Sequence, residues 1–210
     1  MGTASFFAAR WQMILQLTLE HLAIVVLAMV LSIVIGVATG MLITLNRRAA
    51  AVVLAATNVM MTIPSLALFS LLVPLVGIGS VPAIIGLVAY TQLPVVRNVY
   101  TGLSGIDPSI IEAARGMGLS SRSILWKIRA PLALPAMMAG IRTAVVMGVG
   151  IGAIAGYIGA GGLGVLIFQG ISRNDDVMVL TGAGIISLIA ILADRLMRRI
   201  ETLLDRRARF

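Results

Sequence analysis

The chain has 210 residues, 60% of them hydrophobic and only 11% charged, with a mean hydropathy of +1.07. A soluble domain carries roughly 25% charged residues, so this chain has too little polar surface to cover a water-soluble globule and takes lipid as its solvent. With no cysteine and one histidine, His21, it excludes a disulfide framework, a cysteine nucleophile and a multi-histidine metal site, and its formal charge of +8 flanks apolar spans instead of forming one basic face for nucleic acid.

In chain order, residues 1–20 read as an external amphipathic segment. Within Ser5–Glu20, Phe6, Trp11, Ile14 and Leu15 suit the membrane interface, with Trp11 as anchor. The first apolar run, Leu22–Leu45, exceeds the roughly 7–15 residues of a signal-peptide core. It is expected to be a retained span, stopped by Asn46, Arg47 and Arg48. The second span covers about Ala50–Val76, interrupted by Pro64 and Pro74. The third covers about Val81–Leu103 with Pro94 inside it, the fourth Leu134–Ile158 and the fifth Val177–Leu196. Each meets the requirement of about 20 apolar residues for crossing the hydrocarbon. The expected fold is therefore an all-α integral membrane domain over residues 1–210, with about five transmembrane helices.

Basic residues set the orientation. Twelve lie on one side: Arg47 and Arg48, Arg115, Arg122, Lys127 and Arg129 in the loop, and six in the 197–210 tail region from Arg195 to Arg209. Two, Arg10 and Arg173, lie on the other. The positive-inside rule then places the N-terminus outside and the loop and tail in the cytoplasm. A six-span reading that splits the second span at Pro64 breaks this bias. Arg97 and Arg142, near span ends, are expected to snorkel to the interface. Asp194 is expected to pair with Arg198 one turn away.

The long polar stretch 104–131 separates spans three and four. Asp107 and Pro108 suit the cap and first position of a helix running to about Arg115, which Gly116 and Gly118 can end. Ser120 or Ser121 can cap a second helix to about Arg129, and Pro131 marks entry into span four. Taken alone, this is either a helix–turn–helix docking surface or a solvated loop tethered by its basic residues.

Glu112-Ala113-Ala114, Gly118, Ile128 and Ala130-Pro131 stand at the spacing EAA-x3-G-x9-I-x-[A]P. This resembles the EAA motif of bacterial ABC import permeases, with Ala130 replacing the motif's leucine. The resemblance implies the type I importer permease fold. It also implies that residues 104–131 form coupling helices seated in a groove of the ATP-binding subunit. Glu112 would then hydrogen-bond at that interface, Ala113 and Ala114 pack in the groove, and Gly118 make the turn, with Ile128 and Pro131 completing the motif. The chain has no G-x-x-x-x-G-K-[ST] phosphate loop, and its one lysine, Lys127, follows Trp126. It is thus expected to be no enzyme and to hold no cofactor, ATP and magnesium being bound by two partner ATPase subunits.

Candidates for the pathway or a gate are Pro64, Tyr90, Gly152, Gly156, Gly161 and Gly162. Gly148, Gly152 and Gly156 share one helix face. That face suits a second permease subunit or the pathway, or close packing within the chain. The run Ile158–Gly164 is too glycine-rich for a helix interior and is either a re-entrant gate or a plain external turn.

Glu20-His21-Leu22, Ile63–Ala67, Val81–Ile85, Leu93–Gly102, Ala139–Thr143 and the 158–164 run resemble osmoprotectant permeases for glycine betaine, choline or carnitine. The glycine run is also similar to methionine-type permeases. The resemblance implies a second permease, as homo- or heterodimer, and an extracytoplasmic binding protein. With the chain ending in a basic tail at Phe210, that protein is expected to be separate. A stand-alone secondary transporter is the competing class; it usually needs buried ionisable groups, and Asp194 is the one acidic residue expected within a span.

Overall fold

The computed structural model describes residues 3–208, and these are helical throughout apart from short connections. Arg209 and Phe210, the end of the expected basic tail, and Met1 and Gly2, the start of the expected external segment, lie outside the described residues.

Helix α1 (Thr3–Ile43) is 41 residues long, with a kink at Arg10 (φ −129°, ψ 20°). Beyond that kink, Ser5–Glu20 runs on into the first apolar run as one helix. Neither proline nor glycine interrupts the chain from Thr3 to Ile35, so nothing ends the helix at residue 20. Phe6, Ile14, Leu17, Val25 and Ala28 are buried in the main core, while Val26, Leu27, Val30 and Val34 are exposed. A helix apolar on every side belongs in lipid.

Helix α2 (Arg47–Thr62) is capped by Asn46, whose Oδ1 accepts from the Arg48 and Ala49 amides at 2.9 and 3.3 Å. It stops one residue short of Ile63, which precedes proline and is extended (φ −69°, ψ 128°). Helix α3 (Ser65–Val76) then leaves at 99° to α2. With 12 residues it is about 18 Å long, too short to cross roughly 30 Å of hydrocarbon. The expected second span is thus a broken one. Counted as one crossing with α2 and α3 together, the chain makes five; four helices are long and apolar enough by themselves.

Helix α4 (Ser80–Ser104) is the centre of the bundle. It packs along α1 on one side and α7 on the other, with α2 and α3 at its flanks. The close approach to α1 rests on Gly36 and Gly40: a Cβ on either would fall 2.6 Å from Val95 or Val99. Thr91 and Gln92 reach across this interface to Ser32, the Thr91 hydroxyl donating to the Ser32 Oγ at 2.8 Å. Pro94 leaves the helix unbroken.

Helices α5 (Pro108–Gly116) and α6 (Ser121–Ile124) form the loop. Helix α6 runs without a break through a widened π turn, Leu125–Arg129, into α7 (Ala130–Ile151) and a 3-10 turn, Gly152–Gly156. The second loop helix and the fourth span are one 36-residue helix, Ser121–Gly156. The π turn lies directly before Pro131, which lacks an N–H and would crowd the carbonyl four residues back; an extra residue in the turn relieves that clash.

Helix α8 (Gly164–Arg173) has no counterpart in the sequence expectations. It ends at Asn174 in the left-handed region (φ 53°), after which the Asp175 side chain accepts from the Val177 and Met178 amides and opens α9 (Asp176–Ala208). Helix α9 packs on α7 and α8.

Candidate functional site

At the loop end of the bundle, Asp107 Oδ1 accepts from the Ser109 amide at 2.8 Å and caps α5. The Ser109 backbone bond, reinforced by its hydroxyl, holds the Asp107 carboxyl below its usual value. The cap is thus charged and fully made at neutral pH, and is lost only as pH falls through the lowered pKa. Helix α5 closes with paired bonds: the Leu119 amide donates to Ala114 O at 3.2 Å and the Gly118 amide to Arg115 O at 2.9 Å. This arrangement puts Gly118 at the left-handed position, φ +81°. Gly116 stays helical, so Gly118 alone makes the turn. Ser120 Oγ then accepts from the Ser123 amide.

Glu112 and Ala113 are exposed, whereas Ala114 is 1% exposed. Of the two alanines, Ala113 faces outward and Ala114 packs within the chain. Ile128, in the π turn, and Pro131, in the first turn of α7, are half-buried. Glu112 lines a cleft of about 280 Å³ together with Leu103, Ile111, Arg115 and Arg129. Arg129 donates to Leu103 O at 2.8 Å, satisfying a carbonyl in the last turn of α4 and tying the loop's exit to its entry. Sequence reasoning counted Arg129 only as a topology charge.

The pathway candidates fall into two groups. Pro64 breaks the second span, and the buried Tyr90 hydroxyl donates to the Ile63 carbonyl that the break frees. The other four gather at the opposite end of α7 from the loop. A Cβ on Gly152 would meet Val25 at 2.8 Å and His21 at 3.3 Å, and one on Gly148 would meet Met29; one on Gly156 would meet the Gly164 backbone at 2.5 Å. Gly148 and Gly152 thus pack on α1, and Gly156 on the chain's own turn; the face is filled from within. Gly159, Gly161 and Gly162 have φ of +76°, +84° and +78°, a region L side chains rarely adopt. The turn is held from α1: Glu20 Oε2 accepts from the Gly162 amide at 3.1 Å. Beside it the buried His21 Nε2 lies 3.1 Å from Val149 O. The Gly79 amide donates to Ile158 O at 3.2 Å. Protein therefore covers this irregular backbone from two sides, the condition for tolerating it at membrane depth.

Arg142 has carboxylate partners that the sequence did not reveal: its Nε lies 2.5 Å from Asp194 Oδ1 on α9, with Glu201 at 3.9 Å. Arg198 is the more distant partner of Asp194, at 3.7 Å. An ion pair therefore links α7 to α9. Glu20 also lies in a long apolar helix, α1.

A five-crossing helical bundle with a helix–turn–helix between its third and fourth crossings defines the class: a multi-span permease subunit of an ABC importer in a bacterial inner membrane, and not an enzyme. The chain belongs to the family described as the binding-protein-dependent transport system inner membrane component, whose sequence model matches residues 32–207. It is 46% identical over 193 residues to the osmoprotectant import permease protein OsmW of Salmonella typhimurium, covering 90% of each chain. To the glycine betaine/carnitine/choline transport system permease protein OpuCB of Bacillus subtilis it is 38% identical over 175 residues, 83% of this chain and 81% of that protein. Its fold matches a chain of the MetNI methionine ABC transporter, solved in inward-facing conformations, with a TM-score of 0.82 at 25% identity, covering 93% of this chain and 98% of that one. This is the type I permease fold. Membership of the family removes the stand-alone transporter and implies ATPase and substrate-binding components.

Proposed function

We propose that this chain forms the membrane route for a quaternary-amine osmolyte such as glycine betaine, choline or carnitine. What carries this reading is the 46% identity to an osmoprotectant permease over 90% of both chains, against 25% to the methionine transporter chain. The 104–131 loop docks in a groove of one of the complex's two ATPase subunits, with Glu112 and Ala113 outward and Gly118 setting the angle between its helices. A second permease completes the route, and an extracytoplasmic binding protein delivers the cargo. The N-terminus lies outside and the loop inside, in keeping with the distribution of arginines.

Few aromatic residues are available for a cation–π cage: two tryptophans, three tyrosines and five phenylalanines, with Trp11 and Trp126 both exposed. Selection of the ammonium therefore falls to the binding protein. The test is uptake of labelled glycine betaine, choline and methionine into vesicles carrying the complete complex. Betaine or choline uptake is expected to require ATP and to survive an uncoupler. Methionine uptake alone would move the chain to the amino-acid importers.

A further inference from the structure

One pair of polar side chains at membrane depth has no part in the loop, the break or the turn. Arg97 lies seven residues before Ser104, the last residue of α4, so its Cα is about 10 Å inside that end. Asn58 lies eleven residues beyond Arg47, the first residue of α2, about 16 Å in from the same end. Helical side chains lean toward their helix N-terminus, and that of α4 is at the far end of the bundle. Arg97 therefore leans deeper instead of back toward the loop, and its Nη2 reaches Asn58 Oδ1 at 3.5 Å. The expected snorkelling is the reverse of this geometry. With the end of α4 at the membrane surface, the guanidinium lies well inside a hydrocarbon layer about 30 Å thick.

Both side chains are exposed on this chain. A guanidinium carries five N–H donors, and among the described residues no carboxylate lies within 4 Å of this one. A charge in this state cannot face lipid cheaply; at membrane depth it belongs to a water-filled cavity. Among the described side chains, a second copy brings no spare carboxylate to this depth: Glu20 holds the glycine turn, Asp194 and Glu201 lie against Arg142, Asp107 and Glu112 sit in the loop, and Asp175 and Asp176 open α9 at the other end.

We infer that Arg97, steadied by Asn58, lines the substrate route and takes the carboxylate of a zwitterionic substrate as it crosses. This rests on the osmolyte reading and sharpens it. A fixed cation attracts the carboxylate end of glycine betaine or carnitine and repels choline, which has a positive charge alone.

The experiment compares uptake of glycine betaine and of choline by the complete complex in vesicles, with ATP hydrolysis measured alongside. Arg97→Gln is expected to cut betaine uptake by about tenfold or more while leaving choline uptake unchanged or higher. Arg97→Lys is expected to restore part of the loss. Equal loss for both substrates, or no loss for either, overturns the assignment. Because the chain has no cysteine, Arg97→Cys supplies a second measurement independent of cargo. The introduced thiol is expected to react with a membrane-impermeant thiol reagent; a shielded thiol overturns placement on the route. A wild-type complex that carries neither betaine nor choline defeats the osmolyte reading and the carboxylate role with it, while the thiol result still decides the placement.

Discussion

Gly118 shows how much one position can decide. No atom lies within 4 Å of where its Cβ would be, so a side chain there has room, yet its φ of +81° is unfavourable for any L residue. The cost is roughly 1–2 kcal/mol, enough to change the angle between α5 and α6 without unfolding a membrane bundle. Gly118→Asp is expected to insert normally but lose stimulation of the partner ATPase, read as ATP hydrolysis by the assembled complex with loaded binding protein. Normal stimulation would remove the loop from the proposed coupling role. This glycine, the Asp107 cap and the Ser120 cap were legible in the sequence because each acts within a few residues of itself. Glu20 with Gly162, Arg142 with Asp194 and Arg97 with Asn58 were not, being 142, 52 and 39 residues apart. A charge in an apolar run tells the reader that it needs a partner or water, and not which.

Among the elements, helices α7 and α9 carry the clearest energetic claim. Their Arg142–Asp194 pair is 29% and 31% exposed, so water screens part of the attraction, and a small but measurable coupling is expected. Arg142→Ala, Asp194→Ala and the double variant, followed by thermal unfolding in detergent, form the cycle that measures it. Strictly additive losses would mean that the pair contributes nothing. The elements themselves were unevenly legible. Span three began and ended where hydropathy put it, and span five began there but ran on about twelve residues past its expected end at Leu196. The first and fourth proved longer, because apolar length marks where lipid is and not where a helix stops, and nothing breaks the backbone between Ser121 and Gly156. Pro64 was visible as an interruption, but the 99° turn it permits depends on Tyr90 supplying a hydroxyl to Ile63 from another helix. Helix α8 escaped because ten residues following a glycine turn resemble a loop more than a span.

For the molecule as a whole, hydropathy and arginine placement supplied the number of crossings, while the neighbours of each helix came from packing that a single sequence does not record. Orientation remains to be measured, and the cysteine-free background makes that direct. Arg122→Cys, in the loop, is expected to label only from the cytoplasmic face, and Ser172→Cys, at the exposed end of α8, only from outside. The reverse pattern would invert the proposed topology.

The unbroken helix from Ser121 to Gly156 has a mechanical consequence. Its 36 residues make a rod about 54 Å long. One end stands in the loop proposed to meet the ATPase, and the other carries the glycine turn. A rod of that length is a lever arm: each degree of tilt about its lower end sweeps its upper end through about 1 Å. Displacements of a few ångströms at the far mouth therefore follow from only a small change of angle at the π turn before Pro131.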